Sequence, residues 1–287
     1  MSLDQKIKDL RHGDLDLEHQ DLDHKDLKRI LTKLGSGRTQ PSRKCRRLNE
    51  DLIGTIESRL SSAAGIQKLR LSGNKRIGDK GTDYVHLLPD TVKFINLSFC
   101  GLSTKGVQKI CKYLETNTSI IGVMMWGNCI DDEGAKHIAK MLEKNTTLVG
   151  LSCRDLKKFM TVDGINRVAK SLKKNHSLRV LDFGHNTDGD KSMEPSEKDC
   201  FLPFEAMLEK NENSALKRLV VCGKNECDIG GRMNIKYFMD LNNYKARDIT
   251  RDENIERFQA GVEKAAHDNL LDVTYYFIRN NVQHILK

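Results

Sequence analysis

Apolar residues recur along this chain in one short frame. Ile120-x-x-Val123-x-Met125-x-x-Asn128-x-Ile130 has the same spacing as Leu178-x-x-Leu181-x-Phe183-x-x-Asn186. Val92-x-x-Ile95-x-Leu97-x-x-Cys100-x-Leu102 fits it, and Ile66-x-x-Leu69-x-Leu71-x-x-Asn74 fits with one extra residue before Ile77. Looser copies are Leu148-x-x-Leu151-x-Cys153-x-x-Leu156 and Leu216-x-x-Leu219-x-Val221. The copies begin at 66, 92, 120, 148, 178 and 216, and so lie 26, 28, 28, 30 and 38 residues apart. Alternation of apolar and variable positions within the frame predicts a short strand with one buried face.

The stretches between strands repeat as well. Gly106 to Asn117 aligns with Gly134 to Asn145 and with Gly164 to Asn175. In the second of these, Ala135, Ile138, Ala139 and Leu142 fall at i, i+3, i+4 and i+7, the stripe of an amphipathic helix. Ser103, Asp131 and Thr161 stand three residues before the glycine as expected N-caps, and the terminal Asn is expected to take a left-handed C-cap. Each unit therefore reads as a strand and a helix, the helix supplying the long crossover that parallel strands need. Helices are wider than strands, so stacked units splay outward on the helical side and curve the sheet inward.

These residues resemble the ribonuclease-inhibitor class of leucine-rich repeats, whose signature is Leu-x-x-Leu-x-Leu-x-x-Asn/Cys-x-Leu followed by a helix. The resemblance is strong over 66–186 and looser to about 225. It implies an α/β solenoid, a curved horseshoe with parallel strands on the concave face and helices on the convex face, to which the residues beyond about 226, which leave the pattern, are expected to add a helical C-terminal cap. Asn74, Asn128 and Asn186 are expected to form a ladder that satisfies backbone groups of the turns, with Cys100 as a substitute.

Three regions follow from the pattern: an N-terminal cap with degenerate repeats at 1–64, containing a basic loop at 35–47; the leucine-rich repeats at 65–225; and a C-terminal cap at 226–287. In the first, Leu15-x-Leu17-x-x-Gln20-x-Leu22 and a helix from Asp26 to Leu34 form one unit. A second, at 38–60, keeps a helical stripe (Leu52, Ile53, Ile56, Leu60) but has basic residues where its strand belongs, which leaves sheet continuity near 38–46 open. Glu253 to Lys287 reads as largely helical, with Val273, Phe277, Ile278 and Ile285 as core positions.

Composition narrows the function classes. Of 287 residues, 38% are hydrophobic and 31% charged, which suits a soluble folded protein. The longest apolar runs, such as Ile120 to Trp126, fall far short of the roughly 18 to 20 residues that span a bilayer. Charges occupy the first residues, where a signal peptide needs an apolar core, so a cytoplasmic protein is expected (host cytoplasm if the chain is a pathogen effector). Net charge is +8, yet Arg38, Arg43, Lys44, Arg46 and Arg47 carry five of those charges, which argues against the broad basic face of a nucleic-acid binder. Eight cysteines show no metal-binding spacing and several fill apolar slots, consistent with reduced, buried thiols.

The strands alternate instead of reading as the continuous apolar runs of a sheet covered on both sides, so one face is left open. Its positions include the chain's single tryptophan, Trp126, beside Met124 and Phe94, with Arg154 and Arg70 nearby. Aromatic and arginine residues dominate binding hot spots. The candidate partner-binding residues are accordingly Arg70, Phe94, Asn96, Met124, Trp126, Arg154, Asp182 and His185. Taken singly, Arg70, Asn96 and Asp182 read as solvated polar positions. His185 opens an insertion running to Asp199 at the C-terminal end of a strand, where loops of βα architectures often bind.

The other motifs are weak. Asp14, Asp16, Glu18, His19, Asp21, Asp23 and His24 are scattered over several faces and read as a solvated first unit, so no metal is expected. The sequons at Asn117, Asn145 and Asn175 recur at one repeat position, which helix termination explains better than glycosylation. A phosphate-cradling loop, a nucleophile elbow and a His-Glu-x-x-His are all missing from the sequence, so no enzyme and no cofactor are expected. The expected partner is another folded protein, an enzyme to be inhibited or regulated being the favoured kind, with the free chain a monomer. The resemblance extends to repeat-containing effectors of intracellular pathogens, to Ran-type GTPase activators and to actin-regulating proteins. The activators carry an acidic tail, whereas this chain ends Asn-Val-Gln-His-Ile-Leu-Lys. Phosphate or nucleic-acid binding through Arg38 to Arg47 is the remaining alternative.

Overall fold

A computed structural model describes residues 13–36, 66–153, 160–183, 197–210, 213, 215–221, 240–242, 255–268, 270 and 273. Seven strands form one sheet in chain order: β1 (Asp14–Asp16), β2 (Lys68–Arg70), β3 (Phe94–Asn96), β4 (Gly122–Met124), β5 (Gly150–Ser152), β6 (Val180–Phe183) and β7 (Arg218–Val221). Every neighbouring pair is parallel. The helices are α1 (His24–Ser36), a short α2 (Gly78–Gly81) continued by a 3-10 turn (Thr82–Leu87), α3 (Thr104–Leu114), α4 (Asp132–Leu142), α5 (Val162–Leu172), α6 (Glu197–Glu209) and α7 (Ile255–His267). Strand alternates with helix as a leucine-rich repeat solenoid requires.

The apolar frame becomes two lines through the core. Leu15, Leu69, Ile95, Val123, Leu151, Leu181 and Leu219 stand opposite one another in register, and all are buried. Two residues on, Leu17, Leu71, Leu97, Met125, Cys153 and Phe183 are buried as well. Helix residues such as Ile138, Leu142, Val168 and Leu172 close over these lines. Burial of each such side chain contributes about 1.5–3 kcal/mol, so the sheet is held by a core shared between units.

Capping follows the expected residues. Ser103 accepts from Lys105 N, Asp131 from Gly134 N and Thr161 from Asp163 N. Two of these hydroxyls are also gripped from the preceding unit, Ser103 by the carboxylate of Asp79 and Thr161 by that of Asp132. The repeated glycine makes room for that grip, because a Cβ at Gly106 would strike Asp79 and one at Gly164 would strike Asp132.

At the far end of the helices the structure corrects the expected C-cap. Glu115, Glu143 and Lys173 cap in right-handed helical geometry, and Asn117, Asn145 and Asn175 are not among the residues with positive φ. Asn145, Asn175 and the later Asn213 reach back to the previous unit instead, while Asn117 Nδ2 donates locally to Tyr113 Oη and Ser119 Oγ. Asn145 Nδ2 donates to Leu114 O (2.7 Å), Asn175 Nδ2 to Leu142 O (2.8 Å) and Asn213 Nδ2 to Leu172 O (2.6 Å). Each Oδ1 accepts from the backbone two and three residues ahead, as from Thr147 N and Leu148 N at Asn145.

The expected strand-side ladder is present where it is described. Asn74 Nδ2 donates to Leu17 O and Leu71 O (both 2.8 Å), while its Oδ1 accepts from Gln20 N and Leu22 N (both 3.0 Å). Asn128 repeats this with Leu97 O, Met125 O and Leu102 N, and Cys100 Sγ donates to Leu71 O at 3.1 Å. Asn186 lies outside the described residues.

Strand β1 pairs directly with β2, although Asp14 and its partner Lys68 are 54 residues apart, close to two units of chain. The sheet is thus continuous from β1 to β2 with no strand between them. The helix expected at 52–60 and residues 37–47 of the basic loop lie outside the described residues, while Gly35 and Ser36 end α1. Val273, expected as a core position, is buried, while Phe277, Ile278 and Ile285 also lie outside the described residues.

Candidate functional site on the open face of the sheet

The variable strand positions form ranks across the face opposite the helices. One rank runs Asp14, Lys68, Phe94, Gly122, Gly150, Val180, and the next Asp16, Arg70, Asn96, Met124, Ser152, Asp182. Glu18, Ser72, Ser98 and Trp126 continue at the strand ends. In β3, β4 and β5 the burial alternates half-buried, buried, half-buried, as a sheet with one free face should.

The face divides by chemistry. Its β1–β2 end is charged: Asp14 faces Lys68 Nζ at 3.4 Å and Arg70 Nη2 at 3.5 Å. Arg76 meets Asp21 at 3.0 Å and Asp23 at 3.9 Å. Asn96 Nδ2 donates to Glu18 Oε1 (3.0 Å), and its Oδ1 accepts from Ser98 N (3.0 Å), so both ends of this amide are engaged.

Around β4 the face becomes apolar and aromatic. Phe94 lies over Gly122, where a Cβ would come within 2.8 Å of its ring. The Trp126 indole Nε1 donates to Ser152 Oγ on β5, and its backbone N donates to Ser98 Oγ at 3.1 Å. Met124 is half-buried between these neighbours, and Ile121, just before β4, is 46% exposed. At Gly150 the face is open, with no heavy atom of the described residues within 4 Å of a Cβ built there.

One feature escaped the pattern reading. The residue that ends each of the first four strand segments takes positive φ: His19 (55°), Gly73 (80°), Phe99 (53°) and Gly127 (63°). Rings and glycines alternate, the His19 ring lying over Gly73 and the Phe99 ring over Gly127. Phe99 is 37% exposed and extends the aromatic patch beside Trp126. Its sequence signal is a bulky residue where two of the other units carry glycine.

The candidate residues separate accordingly. Phe94, Met124 and Trp126 stand together on adjacent strands. Arg70 and Asn96 lie on the charged side, already engaged by Asp14 and Glu18. Asp182, expected as a solvated position, is instead buried at 8% exposure. Arg154 and His185 lie outside the described residues, as do most of the insertion and the basic loop.

On the helical side, a cavity of about 490 Å³ opens among the 3-10 turn, α3 and α4, lined by residues including His86, Lys109, Cys111, Tyr113, His137 and Lys140. Lys109 is paired there with Asp83 at 2.6 Å, and Glu115 binds Lys144 at 2.8 Å and Lys112 at 3.4 Å. Burial pushes the Cys111 thiol up, so it is no nucleophile at neutral pH. Among the described residues there is no His/Cys/Asp/Glu group arranged to hold a metal, and no helix long and apolar enough to cross a membrane.

The family description "Leucine Rich repeat" matches residues 66–82 and 91–111. Sequence frame, stacked units and this match together make the chain a leucine-rich repeat protein. No curated protein matches it. Among solved structures it is similar to "Leiomodin-1 Actin-Binding Site 2 (ABS2)", at 24% identity over 54% of this chain and 83% of that one, with a TM-score of 0.44. It is also similar to the tropomodulin C-terminal domain of Caenorhabditis elegans, at 11% identity over 77% of this chain and 96% of that one, with a TM-score of 0.44.

Proposed function

We propose that this protein is a non-catalytic scaffold that grips another folded protein on the open face of its sheet and regulates it, an enzyme inhibited by coverage of its active-site mouth being the favoured partner. The supporting observation is the apolar patch of Phe94, Met124 and Trp126, half-exposed on adjacent strands and flanked by a charged end at β1–β2. Apolar anchors within a polar surround are what protein interfaces use for affinity and for register respectively. Such a patch is shallow and open to water, which suits docking of a surface better than chemistry on an enclosed substrate.

The test is affinity purification with the full chain from its native cell, comparing wild type, Trp126→Ala and Lys136→Ala on the helical side. A true partner is retained by wild type and Lys136→Ala. It loses about 2 kcal/mol of binding with Trp126→Ala, roughly 30-fold in Kd. Equal recovery on all three would remove the open face from the function. An activity assay on the recovered partner then distinguishes inhibition from scaffolding.

A further inference from the structure

Two glycines occupy neighbouring in-register positions on the open face, Gly122 on β4 and Gly150 on β5, and they are treated differently. The Phe94 ring covers Gly122, whereas no heavy atom of the described residues lies within 4 Å of a Cβ built at Gly150. The vacancy is bordered by the covered Gly122 on one side and Val180 on the other, which stand about 10 Å apart by strand spacing. One step along the strands lie Met124 and Ser152. Its polar groups are already engaged: Gly150 N donates to Ile121 O at 3.0 Å, and Ser152 Oγ accepts from the Trp126 indole. A polar group entering this hollow would lose water and gain little in return, whereas an apolar one is favoured there.

The charge at the other end of the face is unbalanced. Asp14 takes both Lys68 and Arg70, while Asp16 and Glu18 have no cation within ion-pair distance among the described residues. Their strand lies four spacings from β5, about 19 Å.

We infer that the hollow over Gly150 is a socket for one large apolar side chain of the partner, carried on a segment whose Lys or Arg residues lie over Asp16 and Glu18. This rests on the reading of the open face as a protein-docking surface and specifies the segment that docks. The aliphatic or aromatic knob sets affinity, and the cations fix the direction in which the segment crosses the strands.

A library of random 16-residue peptides displayed on phage and selected on the immobilised full chain tests this. Enriched peptides should share a Leu, Met, Phe or Trp together with Lys or Arg. As synthetic peptides they should bind Gly150→Leu at least tenfold more weakly, bind the Asp16→Asn/Glu18→Gln double variant more weakly at low salt, and lose at least tenfold when their own large residue becomes Ala. That last arm and the shift of the Met124 methyl ¹³C resonance on peptide addition use the wild-type protein, so they stand even if Gly150→Leu misfolds. Peptides weakened by Trp126→Ala but indifferent to Gly150→Leu and to loss of their large residue overturn the socket and leave the docking face intact. Peptides indifferent to Trp126→Ala as well overturn both. A selection that enriches no apolar-plus-basic sequence also overturns the socket.

Discussion

The indole N–H of Trp126 donates to the hydroxyl of Ser152 on the neighbouring strand. The bond carries the ring across β5 and holds it there before any partner arrives. Ser152→Ala should release the ring while leaving the fold intact, since one net hydrogen bond is worth about 1 kcal/mol. As Trp126 is the only tryptophan, its fluorescence reads this directly. The emission maximum should move to longer wavelength with little change in the urea midpoint, and partner affinity should fall by less than with Trp126→Ala. An unmoved spectrum would mean that the bond does not hold the ring.

The Asn74 amide serves four backbone groups in two units, so its removal strands buried donors and acceptors together. Asn74→Ala should cost about 3–5 kcal/mol in urea unfolding. Cys100→Ala removes weaker sulfur bonds and should cost about 1–2 kcal/mol. A cost at Asn74 no larger than at Cys100 would contradict the ladder's role.

Glycine substitutions should split by position. Gly127 has φ of +63° beneath the Phe99 ring, so Gly127→Ala should lose about 1–2 kcal/mol from backbone strain alone, with a further loss from displacing the ring. Gly150→Ala meets open space without positive φ and should gain up to about 1 kcal/mol by restricting the unfolded chain. Thermal unfolding of the two variants side by side gives the comparison.

Acid should destabilise the protein through identifiable carboxylates. A hydrogen bond from Lys144, reinforced by Lys112, holds Glu115 below the usual carboxylate range, and the backbone N–H of Asp26 does the same for Asp23 at the start of α1. A folded-state pKa below the unfolded one contributes stability above the unfolded pKa, and that contribution is lost as pH falls through the folded one. Stability should therefore be level at neutral pH and decline below the ordinary carboxylate range. Lys144→Ala should shrink the part of that decline due to Glu115, as urea midpoints across pH will show.

Burial pushes the Cys100 thiol up to about 12 and raises those of Cys111 and Cys153 as well. At pH 8 these three should resist an aromatic disulfide reagent in the folded protein and react once denaturant is added. Fast labelling of any of the three, mapped by peptide mass spectrometry, would contradict their burial.

How much of this was legible depended on the distance over which each signal acts. The core lines were readable because an alternation of period two and a helical stripe are local and repeated in every unit. N-caps at Ser103, Asp131 and Thr161 were readable for the same reason. The recurrence of Asn117, Asn145 and Asn175 was visible, but Asn145 and Asn175 bond carbonyls about one unit earlier, which no local rule can see, and none of the three adopts the left-handed cap such a rule assigned. The aromatic patch was half legible: strand positions placed Phe94, Met124 and Trp126 together, while Phe99 belongs to a turn whose left-handed backbone ordinarily selects glycine. Asp182 sits at a position where alternation predicts exposure, and only the packing around it sets its burial.

The direct pairing of β1 with β2 across 54 residues has a consequence for how such a molecule changes over time. Its rungs keep one pitch there although nearly two units of polypeptide join them. Phe94, Met124 and Trp126 stand on later rungs, so the grip is set by strands that follow the junction, and a lineage has a place to carry extra sequence outside it.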